Sequence, residues 1–530
     1  MQEPKSPDIL IKQALGAAKR GDLDSAIIDF DDGITLLKEQ LSKALYNRGG
    51  VYKMRGNAEA AFNDFNEAIR LNPDYGEAYY QRASILKAKG DVQAANTDFA
   101  LALTYRAQAR AKQGDLDAAL ADVSQVLQIN PQEVGAYIQR GKIRQQKGDA
   151  PGAIEDFSAA IKFQPNNAEA CVLRGAVFDS QGDTKGALTD YNQALKIEPR
   201  YVPALLKRAR MFAAAGNDSN ALADLNLAAS INPNTPEVYS VRGLLNINQG
   251  DLDKAYEDFS MALKLNPRDA ESYYYRAIIR YDKGDLKGVV SDCDRAVQLN
   301  PRYIDAYMVR GIALLDAGQV QPAFADFTEV INVDPHNAEA HAKLGKIHAM
   351  RGDRAKAKHY YEMATTYNSG IAEAFNGLGL IYYAEGDLVE ALAHYNEALA
   401  IDKTFGEAYV NRAQIHKDKG DNAQALTDLN QAVGNNPRYV TGYLQRGAHH
   451  HEKDSYKEAV QDYSKAIELD PQRAESYEMR GRARYGLGDY ENAISDLEQY
   501  LALGGGKKHG DEGEINKLIK EIRKLAGKRR

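Results

Sequence analysis

The sequence predicts an all-α fold, an α-solenoid built from stacked antiparallel helix pairs. A glycine followed by a small polar residue recurs through the 530-residue chain, and eleven equal intervals separate Gly114 from Gly488. We call this glycine the corner residue, and Asp454 replaces it in one copy. Apolar residues on both sides of the corner recur with helical spacing. Ten of the 16 prolines follow a corner at one fixed distance, as Pro165 follows Gly148, and a proline there ends a helix.

A single copy shows why each repeat is expected to be a helix pair. Leu378 and Tyr382 are four residues apart, as on one face of a helix, and Gly386 then breaks that helix. Ala391 and Tyr395 form a second stripe with the same spacing. Two short helices joined by a tight turn form an antiparallel hairpin, so the array is expected to contain no compact catalytic domain.

The repeat resembles the tetratricopeptide repeat, a 34-residue pattern with an aromatic residue, a Leu-Gly pair, Tyr, Ala, Phe and Pro at these spacings. The resemblance covers about residues 7–507, in about fifteen copies. It implies a right-handed superhelix of stacked hairpins, whose first helices line a concave groove that holds peptides or other proteins. We therefore expect a non-enzymatic scaffold or adaptor.

One departure from the family pattern predicts a second feature of the repeat. Where the family has Leu, 12 of 15 copies have Arg, and an Asp follows each Arg by sixteen residues. The copies with Leu344 and Leu378 lack both residues together. Because an unpaired buried charge is costly, we expect the two side chains to form structural ion pairs within each hairpin; an anion-binding site is the alternative. The central pairs are Arg242 with Asp258 and Arg276 with Asp292.

A partner-binding groove is predicted on the first helices in the middle of the array. The family analogy places an exposed apolar and aromatic run there, which would be unusual without a partner. Its residues are Leu244, Ile247, Tyr274, Ile278, Tyr281, Met308, Ile312 and Leu315. Acidic residues mark one edge, either because they suit the first turn of a helix or because they select a basic ligand. They are Glu237, Glu271, Asp305, Glu339, Glu373 and Glu407.

The array is irregular at two places, which suggests three segments. The interval from Gly90 to Gly114 is ten residues shorter than the regular interval. We expect the second helix of the third repeat to run into the first helix of the fourth, or to be distorted near residues 103–106. The predicted segments are an N-terminal lobe (1–103), a main array (104–503), and a glycine break followed by a basic helix (504–530). That helix is expected to cap the last repeat; attachment to an acidic partner, a membrane surface or nucleic acid is the alternative.

The sequence contains no motif for catalysis, a cofactor or a metal. It has no P-loop, no nucleophile elbow, no dinucleotide fingerprint and no paired-Cys metal motif. Cys171 and Cys293 occupy positions that are mostly aromatic in other copies, so we expect buried thiols. His348, His416 and His450 share a position with tyrosines, which favours packing over metal binding. We therefore predict no enzyme activity, no cofactor and no bound metal.

Composition bounds the class of partner. The net charge is −7, which argues against a nucleic-acid partner, and no apolar stretch is long enough to span a membrane. We expect a cytoplasmic chain that binds another protein or peptide. A self-assembling structural array and an accessory subunit of a larger complex are the alternatives, and the oligomeric state is left open.

Overall fold

The computed structural model describes residues 6–20 and 22–529, with side chains to residue 526, and every regular element in that part of the chain is an α-helix. Gly21, the first predicted corner, lies outside the described residues. The chain divides into two compact units, Met1–Pro267 and Arg268–Arg530.

The first unit contains fourteen helices. They are α1 (Pro7–Lys19), α2 (Leu23–Met54), α3 (Ala58–Leu71), α4 (Gly76–Ala88), α5 (Val92–Lys112), α6 (Leu116–Ile129), α7 (Val134–Gln146), α8 (Ala150–Phe163), α9 (Ala168–Ser180), α10 (Thr184–Ile197), α11 (Val202–Ala214), α12 (Asp218–Ile231), α13 (Pro236–Asn248) and α14 (Leu252–Leu265).

The second unit contains sixteen helices. They are α15 (Ala270–Asp282), α16 (Leu286–Leu299), α17 (Ile304–Asp316), α18 (Val320–Val333), α19 (Ala338–Met350), α20 (Arg354–Tyr367), α21 (Ala372–Glu385), α22 (Leu388–Ile401), α23 (Gly406–Asp418), α24 (Asn422–Asn435), α25 (Val440–Glu452), α26 (Tyr456–Leu469), α27 (Ala474–Gly486), α28 (Tyr490–Ala502), α29 (Gly505–His509) and α30 (Glu512–Arg529).

The corner residues make the turns that the sequence predicts. Thirteen corner glycines have φ between 71° and 87°, and Asp454 has φ 58°. This left-handed conformation favours glycine because a side chain would meet the following carbonyl oxygen. The next residue often caps the second helix: Asp149 Oδ1 accepts a hydrogen bond from the amide of Gly152 at 3.0 Å. Each Gly-Asp pair therefore ends one helix and starts the next.

Small residues let the two helices of a pair approach each other. A Cβ atom added to Gly379 would lie 2.5 Å from the ring of Tyr395, and one added to Gly175 would lie 2.8 Å from the ring of Tyr191. Both rings are almost completely buried. In these two repeats the glycine seven residues before the corner thus makes room for the aromatic residue nine residues after it, and the two residues lie at the centre of the hairpin.

Two helices are longer than one repeat allows. α5 is continuous through residues 103–106, so the first of the two expected outcomes is the observed one. α2 likewise joins the second helix of the first repeat to the first helix of the second repeat. The segment between Gly21 and Gly56 has no proline to end the helix. α1 packs at Gly33 of α2 and α3 packs at Gly49, so the two neighbours hold opposite halves of one long helix.

The last helix packs on the end of the array. Ile515, Ile519 and Ile522 of α30 are buried in one apolar cluster with Leu497 and Tyr500 of α28. The helix therefore covers a face of α28 that would otherwise be exposed. The division into segments 1–103, 104–503 and 504–530 stays a prediction. None of the helices in the described residues is both long enough and apolar enough to cross a membrane.

Candidate functional site

In all twelve repeats that have both residues, the Arg and the Asp contact each other. Arg242 Nη2 donates to Asp258 Oδ1 at 2.6 Å and Nε donates to Oδ2 at 3.0 Å. Arg276 donates to Asp292 in the same way, at 2.6 and 2.9 Å. The aspartate side chains are between 1% and 9% exposed. The other pairs are Arg48–Asp64, Arg82–Asp98, Arg106–Asp122, Arg140–Asp156, Arg174–Asp190, Arg208–Asp224, Arg310–Asp326, Arg412–Asp428, Arg446–Asp462 and Arg480–Asp496.

Eight of these arginines, Arg242 among them, also donate a hydrogen bond to a side chain of the preceding repeat, a contact that sequence reasoning missed. Arg242 Nη1 donates to Asn226 Oδ1 at 2.8 Å, and the ring of Tyr239 lies 5.4 Å from the guanidinium carbon. Asp258 accepts a further hydrogen bond from Asn246 Nδ2 at 2.9 Å. Ten residues after the corner, most repeats carry Asn, Ser or Asp. The recurrence of a polar residue at this position was the feature of the sequence from which the contact could have been predicted.

These contacts favour the structural role of the arginines over the anion site. All three nitrogen atoms of the Arg242 guanidinium donate to protein oxygens. Hydrogen bonds to the Asp326 carboxylate raise the pKa of Arg310 above its usual value, although burial opposes the charged form. An incoming anion would have to displace a buried carboxylate.

Two of the three repeats without the pair place other groups at the same positions. Leu344 is fully buried, and the half-buried ring of Tyr360 packs against the same cluster. Leu378 is buried as well, and the ring of His394 stacks on Tyr382 with centroids 5.1 Å apart. The replacements therefore exchange a charged pair for packing.

The first helices line the inner side of each unit. Within each unit, first helices of successive pairs contact each other more extensively than second helices do. Side-chain hydrogen bonds link neighbouring first helices: the Tyr281 hydroxyl donates to Asp316 at 2.5 Å, and the Tyr383 hydroxyl donates to Asp418 at 2.6 Å. Elements that approach more closely on one side of a stack curve toward that side. The predicted groove residues lie on these first helices.

The predicted groove is less exposed than the sequence suggested. In the second unit, Tyr274, Ile278 and Tyr281 of α15 are half-buried. Burial raises the pKa of Tyr274 to about 12, and its ring contacts that of Tyr303 at 5.1 Å. In the first unit, Leu244 and Ile247 of α13 are also half-buried.

Met308 requires a correction, because it is 7% exposed and belongs to the core. It packs in one cluster with Phe327 and Leu344, against which Ile312 and Leu315 pack from the surface. The prediction placed each residue by its distance from the corner and ignored the next helix pair, which covers Met308. Apart from the buried Met308, the predicted groove residues of the second unit are therefore half-buried apolar side chains.

Acidic side chains border this surface, and they differ in their contacts. Lys343 Nζ donates to Glu373 at 2.5 Å and Lys346 Nζ donates to it at 3.2 Å. Burial would raise the pKa of Glu373, but the two lysines outweigh it and hold that pKa below its usual value. Glu271, Asp305 and Glu339 are exposed, and they form no ion pair within the described residues. An unneutralised acidic edge thus runs from α15 to α19.

His348 and the two cysteines behave as packing residues. The ring of His348 stacks on Tyr360 at 5.2 Å, and burial lowers its pKa. Cys171 is buried and free, as is Cys293, whose pKa burial raises to about 12. The described residues contain no group of three or more His, Cys, Asp or Glu side chains placed to hold a metal ion.

Stacked helix pairs with left-handed glycine corners define a helical-repeat protein. Tetratricopeptide repeat models match residues 42–75, 104–168, 138–201, 172–236 and 241–304, and 406–439 and 474–503. A TPR repeat model matches 379–420 and 449–488. Together the matches span more than half of the chain. The chain belongs to the tetratricopeptide repeat family, as the sequence pattern predicted. No curated protein matches it.

Several solved structures are similar to the chain. Yeast Tom70 is 16% identical over 81% of this chain and 96% of its own, with a TM-score of 0.40. The structure described as the APC/C hetero-tetramer Cut9-Hcn1 is 14% identical over 83% and 96%, with a TM-score of 0.40. A tetratricopeptide repeat protein from Parabacteroides merdae is 24% identical over 47% and 98%, with a TM-score of 0.34.

Proposed function

We propose that the chain is a non-enzymatic scaffold that binds a segment of another protein on the inner side of its first helices. The observation that carries the proposal is the surface of the second unit, where half-buried apolar side chains lie beside exposed carboxylates without ion pairs. Ile278, Tyr281, Ile312 and Leu315 form the apolar part, and Glu271, Asp305 and Glu339 form the edge. We call these seven residues the inner surface.

The proposed ligand is a peptide segment that carries both apolar and basic side chains. A ligand that removes the remaining apolar surface of half-buried residues from water gains roughly 25 cal/mol of binding free energy per Å². Exposed acidic residues add attraction and orientation rather than large affinity. Lys343 and Lys346 already neutralise Glu373 of α21. The basic residues of the ligand are therefore expected over α15–α19, where the edge carboxylates form no ion pair within the described residues, rather than over α21.

The experiment is selection of a random peptide library on the full-length chain. Peptides that combine apolar residues with Lys or Arg should be enriched on the wild type. The variant Ile278→Lys with Leu315→Lys should lose them, because it places charge in the apolar part. The variant Asp305→Lys with Glu339→Lys should keep apolar selection and lose the preference for basic residues.

Val389→Lys is the matched control, because Val389 is an exposed apolar residue on the second helix α22. It should enrich the same peptides as the wild type. Enrichment of the same peptides by the Ile278→Lys, Leu315→Lys variant would contradict the proposed site. The cytoplasmic location, the absence of a nucleic-acid partner and the lack of enzyme activity stay predictions of the sequence.

A further inference from the structure

The largest group of exposed large apolar side chains on any helix of the described residues is on α2, in the first unit. More than half of the exposed large apolar side chains in the described part of the chain belong to α1 and α2. Five of those on α2, together with the exposed Ala44, lie along one side of the helix, and we call this stripe the α2 seam. It consists of Ile27, Ile34, Leu37, Leu41, Ala44 and Val51.

The seam is exposed because two halves of an ordinary repeat interface lie on one helix. Thirteen residues after the corner, Ile69 and Leu399 are 8% and 6% exposed, whereas Ile34 at the same position is 48% exposed. Five residues before the corner, Ile85 is 4% exposed, whereas Val51 is 49% exposed.

In other repeats these positions are buried across the turn between two helix pairs. Ile69 packs with Ala78 of the next helix, and Ile85 packs with Ala61 and Phe65 of the preceding one. α2 has no such turn, because it continues as one helix from residue 23 to residue 54. The two matching surfaces therefore point along the same side of one helix and cannot meet within a single chain.

We infer that the α2 seam binds the α2 seam of a second copy of this chain, with the two helices antiparallel. This pairing restores the interface that the missing turn removes. Ile34 of one copy would lie against Ala44 of the other, as Ile69 lies against Ala78, and Ile27 would lie against Val51. The contact is self-complementary, as twofold symmetry requires.

The spacing of the seam fits a two-stranded coil. Ile34, Leu37, Leu41 and Ala44 follow one another at intervals of three, four and three residues. Ile27 and Val51 extend this pattern by one heptad at each end. Apolar residues with an average spacing of 3.5 form the contact line of paired helices. A helix of this length spans about 48 Å, so the seam offers a long contact.

The charges of α2 select the antiparallel arrangement. The segment from Asp22 to Leu37 carries only acidic charges: Asp22, Asp24, Asp29, Asp31 and Asp32. The segment from Lys38 to Arg55 carries one acidic residue, Glu39, and five basic ones: Lys38, Lys43, Arg48, Lys53 and Arg55. An antiparallel pair places acidic halves beside basic halves, whereas a parallel pair would place like charges together. This holds although Arg48 already pairs with Asp64.

Self-association is tested by sedimentation velocity of the full-length chain between about 1 and 100 µM. The wild type should shift from one chain toward two as its concentration rises. Leu37→Glu with Leu41→Glu should raise the dissociation constant at least about 100-fold. Both side chains are about half exposed, so a single chain should tolerate the change. The matched control, Met350→Glu with Val389→Glu, replaces two other exposed apolar residues and should dimerise normally.

The arrangement is tested by disulfide cross-linking between separately purified Ile34→Cys and Ala44→Cys variants. The equal mixture should form a covalent heterodimer, and each variant alone should not. Cys171 and Cys293 are buried, so the wild type should give no cross-link. A wild type that stays a single chain at every concentration would overturn the inference, as would a Leu37→Glu, Leu41→Glu variant that dimerises normally. Cross-linking of each variant alone, or no cross-link in the mixture, would overturn the antiparallel pairing.

Discussion

Replacing Arg242 by Leu should destabilise its hairpin far more than replacing Arg242 and Asp258 together. In the wild type Asp258 is 4% exposed and accepts hydrogen bonds from Arg242 and from Asn246. Without Arg242, only Asn246 remains to satisfy a buried carboxylate. The double variant, Arg242→Leu with Asp258→Tyr, copies the pair Leu344 and Tyr360 that the chain itself uses.

The size of the effect follows from burial. Breaking a buried ion pair by removing one partner costs about 3–5 kcal/mol, whereas replacing both partners is often neutral. The Arg242 side chain is 22% exposed, so water can reach part of the vacated space and the lower end applies. A cost of about 3 kcal/mol corresponds to a local opening equilibrium raised about 150-fold. The double variant should stay within about tenfold of the wild type.

The assay is hydrogen exchange on the full-length chain, followed in peptides from α13 and α14. A local measurement is needed because a long repeat array does not unfold in one step. Peptides from α9 and α10 serve as the internal control and should exchange at wild-type rates. If the double variant exchanges as fast as the single variant, the cost does not come from a lone buried carboxylate and the reasoning is refuted.

Four further predictions concern single positions. Asp454→Gly should stabilise the α25–α26 hairpin by about 0.5–1 kcal/mol, measured by hydrogen exchange, because φ 58° suits glycine. Gln319→Asp should stabilise the N-terminus of α18 by about 1 kcal/mol in the same assay, because Gln319 makes no side-chain cap. Gly379→Ala should destabilise its hairpin by about 1–3 kcal/mol, because the new Cβ would meet the ring of Tyr395. The Cys293 thiol should resist a thiol reagent at pH 8 until the chain is denatured, because burial raises its pKa from 9.0 to about 12. The contribution of the protonated thiol to the free energy of unfolding should be present below pH 9 and lost as the pH rises toward 12.

Each of these predictions has a contradicting result. Faster exchange in Asp454→Gly would mean that the hydrogen bond from the Tyr456 hydroxyl to Asp454 outweighs the backbone strain. Unchanged exchange in Gln319→Asp or Gly379→Ala would refute the cap or the close approach. Labelling of folded Cys293 at pH 8, with Cys171 as the internal comparison, would show that the hairpin opens readily.

The corners were the most predictable part of the fold, because the corner motif recurs fifteen times in the sequence. The left-handed turn at Gly386 follows from glycine itself, and even Asp454 adopts it. The contact of Arg242 with Asp258 was expected from the joint loss of both residue types in two copies. These features depend on contacts within one hairpin, where the number of residues between two positions determines whether they meet.

Features that depend on neighbouring pairs were harder to predict. Met308 has the same place on its helix as the half-buried Tyr274, but the adjoining pair covers it more completely. The contact of Arg242 with Asn226 crosses a repeat boundary, and its signal was overlooked. The unbroken course of α2 depends on the absence of a turn proline near Lys38. The absence of a helix-breaking proline shows where a turn is less favoured. Whether the helix then continues depends on how α1 and α3 pack against it.

Because the corner residues share one backbone conformation, the turns inside the regular helix pairs have the same form. Excising the segment from one corner to the next would join two ends that already fit, and duplicating it would do so too. The array can therefore gain or lose whole repeats without a new kind of turn. The length of the surface formed by the first helices can therefore change during evolution in steps of one repeat, while the remaining repeats pack as before.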